Sequence, residues 1–536
     1  MAFLRVEKKK SGTYLRIVES YKASGKSKHR TLHSLGKVED YPSQQLENIA
    51  KKLLELAGIC MEDIVGASFR EIERVNYGYA LVIKRLWKLF DMTTFCNKVG
   101  MVNKTQFDWL NVLQLMIAER LNEPSSKRQS YFNQEEYFGF GQEADLHHFY
   151  RTLNILSQNQ DLLKQHLFSR QRSLFSQKLD VVFYDVTTLY FDSQVEKDGN
   201  KRRKGYCKDG KAHKTQVVLG LLVDKFRNPV TYQIYEGNTY EGHTMVDALK
   251  TMQKDFNIDN VIAVADSAMI DTNNREFMVE NNIDYILGDR LKSLPRSIQQ
   301  ELIDTSSHLA VNKEVDKENF SYKVIEYKGR KIICTYSAKR ARKDAFEREK
   351  LINKAKVWLE NPGKYKQVKK RGAGRFVTTD DDGLPIKLDL EKIEKDSKFD
   401  GFKAIATTTD LPVEQILSKY NDLFEVEHAF RTLKSQLEIR PMFHWNNERI
   451  EGHIAMCFIA YTFLNYLRNT TGLQYRQIVK SLDRMQMSVV EDDTSDELLY
   501  MRSKITENDQ ILVKKLKLVM PKDVTPQSII NQIIEN

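Results

Sequence analysis

The chain has 536 residues, 41% of them hydrophobic and 29% charged, with 24 Gly and 10 Pro. That is apolar material for several cores, and it excludes collagen-like and low-complexity classes. Its five cysteines are scattered with no Cys-x-x-Cys, which excludes a disulfide framework and a cysteine-based zinc site. The net charge of +10 is unevenly spread: residues 1–37 carry +8 and residues 328–375 carry +13, leaving the remainder at −11. Two basic zones on an otherwise acidic chain suit a polyanion touched in two places, although each zone alone also suits a solvated loop.

The longest apolar run, Ile454 to Leu467, is too short to span a bilayer and reads as a core helix. The N-terminus has no signal-peptide pattern, so a reduced, cytoplasmic protein without a membrane partner is expected.

Along the chain, residues 1–40 form a basic β-rich segment, with strands at Thr13–Val18 and His29–Leu35 about a turn at Ala23–Lys26. Residues 41–175 are helical by periodicity, for example Gln45–Leu56 and Tyr79–Phe90, and are the expected DNA-binding region. From about 176 to 294 the pattern becomes a strand ending at Asp185, strands Val217–Val223 and Val230–Tyr235, and a helix near 243–256. A buried strand Val261–Ala265, a helix near 273–281 and a strand Tyr285–Leu287 follow. Together these predict an α/β fold, a mixed sheet flanked by helices. Residues 295–400 are charged, with hairpin runs Tyr322–Tyr327 and Lys331–Tyr336 and a basic helix at 339–360, and read as a β-rich insertion. Helices resume at 412–438 and 447–471, so 401–475 returns to the core; 476–536 is left unassigned.

Asp185 and Asp266 each close an apolar strand. Singly, each suits a turn or a helix cap; as a pair ending strands of one sheet, they point to a shared site beyond the strands' carboxyl ends. On the helix Tyr420–Leu437, the residues Leu423, Val426, Phe430, Leu433 and Leu437 form the buried stripe. Tyr420, Glu427, Arg431 and Lys434 fall on one flank beside it. That flank also suits a plain solvated face with a Glu427–Arg431 pair. Three carboxylates with cations beside them suit phosphodiester cleavage, because hard divalent ions take oxygen ligands and two of them can serve both the attacking and the leaving oxygen.

The stretches Tyr184-Asp185-Val-Thr-Thr-Leu-Tyr-Phe191, Gly237-Asn238-Thr239, Val264-Ala265-Asp266-Ser267-Ala268 and Tyr420…Glu427…Lys434 running into Ile439-Arg440-Pro441 resemble the DDE transposases of bacterial insertion sequences. The likeness is to the insertion-sequence-four superfamily with its Tyr-Arg-Glu-Lys signature. It implies an RNase H-like core, with Asp185, Asp266 and Glu427 as the catalytic triad binding Mg2+ (Mn2+ as a substitute). It also implies DNA contacts from Tyr420 and Lys434. The signature arginine position holds Leu423, so Arg431 or Arg440 is inferred to supply that cation. The implied partners are double-stranded DNA, both terminal inverted repeats and target, and a second copy of the chain on that DNA; the implied location is the bacterial nucleoid. The competing expectations are an RNase H-like nuclease without strand transfer and a non-catalytic DNA-binding protein. Trp358, in the second basic zone, is either a base-stacking or a packing residue.

Overall fold

The computed structural model describes the chain apart from residues 1, 24–25, 59–68, 141–143, 176–178, 207–212, 257–260, 270, 311–319, 363–370, 493–497 and 536. The chain divides into two compact units.

The smaller unit comprises Met1–Val75, Met487–Ser503 and Pro521–Ile533. Strands β1 (Ala2–Lys9), β2 (Gly12–Ala23) and β3 (Lys26–Lys37) form an antiparallel meander. The centre of the expected 23–26 turn lies outside the described residues. After the helix Ser43–Leu56, residues assigned to the helical region instead form β4 (Phe69–Asn76). It joins a four-stranded sheet with Gln486–Asp492, Leu499–Arg502 and Val524–Pro526. Partners more than 400 residues away decide this strand, so local periodicity does not announce it.

The larger unit opens with helices, including Gly78–Leu89, Trp109–Asn122, Leu146–Gln158 and Gln160–Phe175. Against them lies Asn447–Thr471, whose residues from Ile450 to Leu467 are almost all buried. It crosses Leu146–Gln158 so closely that a Cβ at Gly452 would collide with the Leu153 carbonyl. Among the described residues no helix is long and apolar enough to cross a membrane.

The rest is a large mixed sheet with helices on both faces. Its strands are β5 (Val181–Tyr190), β6 (Arg203–Lys204), β7 (Thr215–Val223), β8 (Pro229–Glu236), β9 (Ile262–Ala265) and β10 (Asp284–Asp289), with β11 (Leu309–Ala310), β12 (Phe320–Tyr327) and β13 (Arg330–Ser337). The small hairpin β14 (Val377–Thr379) and β15 (Pro385–Leu388) stands apart, and β16 (Phe402–Thr407) re-enters the sheet. The order is β11-β12-β13-β16-β10-β9-β5-β7-β6, with β8 also on β7. β5 pairs antiparallel with β7 and parallel with β9, and β9 parallel with β10. One face carries Val182, Tyr184, Ala263, Ala265, Tyr285 and Leu287, packed on Met245, Leu249 and Met252 of the helix Thr244–Phe256. The helix Phe424–Ser435 packs on β5 and β7.

Two expectations are corrected, and two features go beyond what the sequence alone suggested. β5 does not end at Asp185; it runs on to Tyr190, because Asp185 and the residues after it pair with β7. The strands β11, β12 and β13 of the insertion 295–400 extend the core sheet. The insertion's hairpin β12–β13 hydrogen-bonds through β16 to β10, and its largest element is the helix Ala338–Glu360. β16 had no counterpart in the sequence reading. The helix over 412–438 is two helices, Val413–Asn421 and Phe424–Ser435. Between them the Leu423 N–H donates to the Tyr420 carbonyl (3.2 Å) and the Glu425 N–H to the Asp422 carbonyl (2.9 Å), a tighter i→i−3 turn.

Candidate active site

The register of two parallel strands sets the first part of the site. Tyr184 of β5 is opposite Ala265 of β9, so Asp185 and Asp266, each one residue further on, are lateral neighbours at about the 4.8 Å strand spacing. Tyr184 points into the core, and alternation sends Asp185 to the other face, where the helix Phe424–Ser435 lies. The two aspartates share a local geometry. Asp185 Oδ1 accepts the N–H of Val186 (2.8 Å), and Asp266 Oδ1 accepts the N–H of Ser267 (2.6 Å). Asp185 is half-buried and Asp266 exposed.

Glu427 comes from the helix. Val426, Phe430 and Leu433 are buried as the stripe required, and Glu427 is exposed on its flank. It forms no ion pair with Arg431. The anchoring pair is instead Glu425 with Arg227, which ties this helix to the β7–β8 turn; both side chains are largely buried. Burial opposes the charge on Arg227, but Glu425 outweighs it, and the Arg227 pKa is raised.

A residue that sequence reasoning missed links the acids. Lys403 of β16 is half-buried, with its ammonium 4.2 Å from the centroid of the Tyr420 ring. Burial, then the nearby Arg340, push its pKa below the usual lysine range, while Asp266 and Glu427 pull it back up. Lys403 therefore lies in the fields of two of the three carboxylates. The only sequence signal was a lysine inside a short apolar run, Phe402–Thr407. Asp266, Lys403, Tyr420 and Arg340 line a cleft of ≈ 600 Å3 that runs on past Arg348 and Arg375.

Tyr420 does not share the helix of Glu427. It ends the preceding helix, is 4% exposed, and has its pKa raised by burial and by the charge of Asp266. Its hydroxyl sits against Gly288 of β10, where a Cβ would collide with it and lie 2.9 Å from the Ser267 nitrogen. Arg431 is exposed, and Lys434 is half-buried with Nζ 5.9 Å from the Phe430 ring. Arg440 stacks on Tyr190 at 5.2 Å, five residues beyond Asp185 along β5. Trp358 packs with Ala355, Ala373 and Val377.

Asp185, Asp266 and Glu427 offer carboxylate oxygens, the ligand type that hard divalent ions take. The three carboxylates do not close to a single-ion cage as they stand. Among the described residues, the only His/Cys/Asp/Glu group whose ligand atoms all lie within 4.8 Å is Asp145, His147 and His148.

Asp185 lies within β5, Asp266 just beyond β9, and Glu427 on a helix that packs on β5 and β7 of the same sheet. Residues 176–463 match the family described as "Transposase DDE domain", and the chain belongs to it. Residues 4–62 match a second family, described as "IS1634 family transposase, N-terminal domain". The protein is therefore a DNA transposase of insertion-sequence type, in a class that depends on divalent metal. A solved structure titled "Cryo-EM structure of piggyBac transposase synaptic complex with hairpin DNA (SNHP)" is 9% identical. It covers 71% of each chain at a TM-score of 0.38, too slight a likeness to argue from. No curated protein matches.

Proposed function

We propose that the core is RNase H-like and that Asp185, Asp266 and Glu427 are its catalytic triad. The observation that carries this is the Tyr184–Ala265 register, which sets the two aspartates side by side. The five-strand order β8-β7-β5-β9-β10, antiparallel on one side of β5 and parallel on the other, supports the fold assignment. Mg2+ is the proposed ion, with Mn2+ as a substitute. When bound, it supplies activation of the attacking hydroxyl and charge neutralisation at the leaving oxygen.

The chain's own residues do the rest. Asp185, fixed by the Val186 N–H on its carboxylate and by its place in the ladder to β7, is the rigid member. Glu427 is the adjustable one. Lys403 and Arg340 hold the scissile strand's phosphates in the cleft. Tyr420 is a positioning residue, wedged beneath Ser267 and so beside Asp266. Arg431, Lys434 and Arg440 carry the flanking DNA backbone. The substrates are the element's terminal inverted repeats and target DNA, bound by a homodimer associated with the nucleoid. Hydrolysis frees a 3′-hydroxyl, which then attacks target DNA.

The test uses DNA carrying the inverted repeats that flank this reading frame. Asp185→Asn, Asp266→Asn and Glu427→Gln abolish cleavage and strand transfer while gel-shift binding of the ends persists. Full cleavage by any one variant removes that residue from the triad. Cleavage without joining in the wild type would reduce the activity to a nuclease.

A further inference from the structure

A second basin opens beyond the far end of β5, away from the acids. Its volume is ≈ 370 Å3, and its walls include Arg120, Lys127, His444, Trp445, Arg449 and His453. Phe191 at the end of β5 bridges to Met442, and Arg440 stacks on Tyr190, so the segment 441–446 forms one lip. At ~3.3 Å per residue, Tyr190 is about 17 Å from Asp185.

The basin gathers three cations, of which only Lys127 is paired with a carboxylate, the buried Glu119, while Glu438 also lines the wall. Arg120 is 4% exposed and Lys127 2%. Lys127 has Glu119 at 3.8 Å and Ser130 at 3.1 Å. Arg120 spends its Nη atoms on the carbonyls of Leu437, Glu438 and Ser125, and its buried Nε has no hydrogen-bond partner. Arg449 lies 4.5 Å from the Tyr150 ring, and its buried Nε also lacks a partner. Among the described residues neither arginine has a carboxylate within 4.0 Å. Burial and these same cations hold both His444 and His453 in their neutral forms. Sheltered arginines without a carboxylate partner are costly, and an arriving anion offsets that cost.

The mouth offers an aromatic platform. Trp445 is 65% exposed and Phe443 64%. Arg202 lies 4.7 Å from the Trp445 ring centroid. Asn200 donates to the Trp445 carbonyl at 2.7 Å and holds the backbone that carries the ring. An exposed indole beside sheltered cations matches the two halves of a nucleotide, a π face and a phosphate.

We propose that this basin binds a nucleotide of single-stranded DNA, with the phosphate among Arg120, Lys127 and Arg449 and the base on Trp445. The site is separate from the carboxylates and takes an unpaired strand leaving the duplex. The inference rests on the DNA-acting role.

The test compares a blunt duplex with the same duplex carrying a short single-stranded thymidine tail, by fluorescence anisotropy across salt concentrations. In the wild type the tail strengthens binding on the order of tenfold. Trp445→Ala brings that ratio to about one, and Trp445→Phe, which keeps a π face, retains most of it. Arg449→Gln lowers the salt slope for the tailed duplex by about one. Equal affinity for the two duplexes in the wild type, or a ratio untouched by Trp445→Ala, overturns the proposal alone. Failure of the wild type to bind either duplex overturns the DNA-acting role and the proposal with it.

Discussion

Gly288→Ala tests whether Tyr420 positions Asp266. The added Cβ would overlap the Tyr420 hydroxyl and lie 2.9 Å from the backbone nitrogen of Ser267, the residue next to Asp266. Overpacking of this kind costs about 1–3 kcal/mol. Tyr420→Phe removes the overlapping oxygen but leaves the Ser267 contact, so the double variant recovers part of the loss. The coupling expected from urea denaturation is about 0.5–3 kcal/mol, stabilising relative to the sum of the single changes. Displacement of a reacting group by about 1 Å can cost on the order of 100-fold in rate. Cleavage by Gly288→Ala therefore falls well beyond the loss of folded protein, and Tyr420→Phe restores part of it. Effects that add to within about 0.5 kcal/mol, with cleavage simply tracking folded fraction, would refute the wedge.

Two further outcomes follow from the charges. Lys403→Met lowers the salt slope of DNA binding by about one without abolishing it. Because burial depresses the Lys403 pKa, its share of binding fades as pH rises through a value below the usual lysine range, and Lys403→Arg moves that loss to higher pH. His444 gives a stability signal. Its pKa is lowered from 6.5 to about 3, chiefly by burial, so the fold holds it neutral while the unfolded chain protonates it. Its stabilising contribution is complete above pH 6.5 and declines as pH falls towards 3, by about 1.4 kcal/mol per pH unit for one proton. His444→Gln flattens the urea midpoint over that window relative to wild type. Identical pH profiles would show that His444 is not held neutral in the fold.

Much of the site's raw material was legible in the chain. Val181–Tyr184 and Ile262–Ala265 are runs whose apolar character demands burial on both faces, and each leads into an aspartate. Val426, Phe430 and Leu433 mark a helix with one buried flank, and their spacing left Glu427 exposed. Lys403 was illegible, because a single lysine in a six-residue strand carries no periodic signal. The break after Tyr420 was equally silent: Asp422 and Leu423 keep helical angles, and only the switch to i→i−3 bonds separates the two helices.

Periodicity is a local property; it encodes which face of an element must leave water and says nothing of which element will cover it. The sequence alone therefore determined most core elements, the acids that follow the apolar runs and the basic zones. Strand partners and register belong to contacts between residues far apart in the chain. They carry β5 on past Asp185, slot β16 between β10 and β13, and align Tyr184 with Ala265. A one-residue slip of that alignment would turn Asp185 into the core, so the tertiary structure, through its cross-strand hydrogen bonds, decided whether two distant aspartates became neighbours.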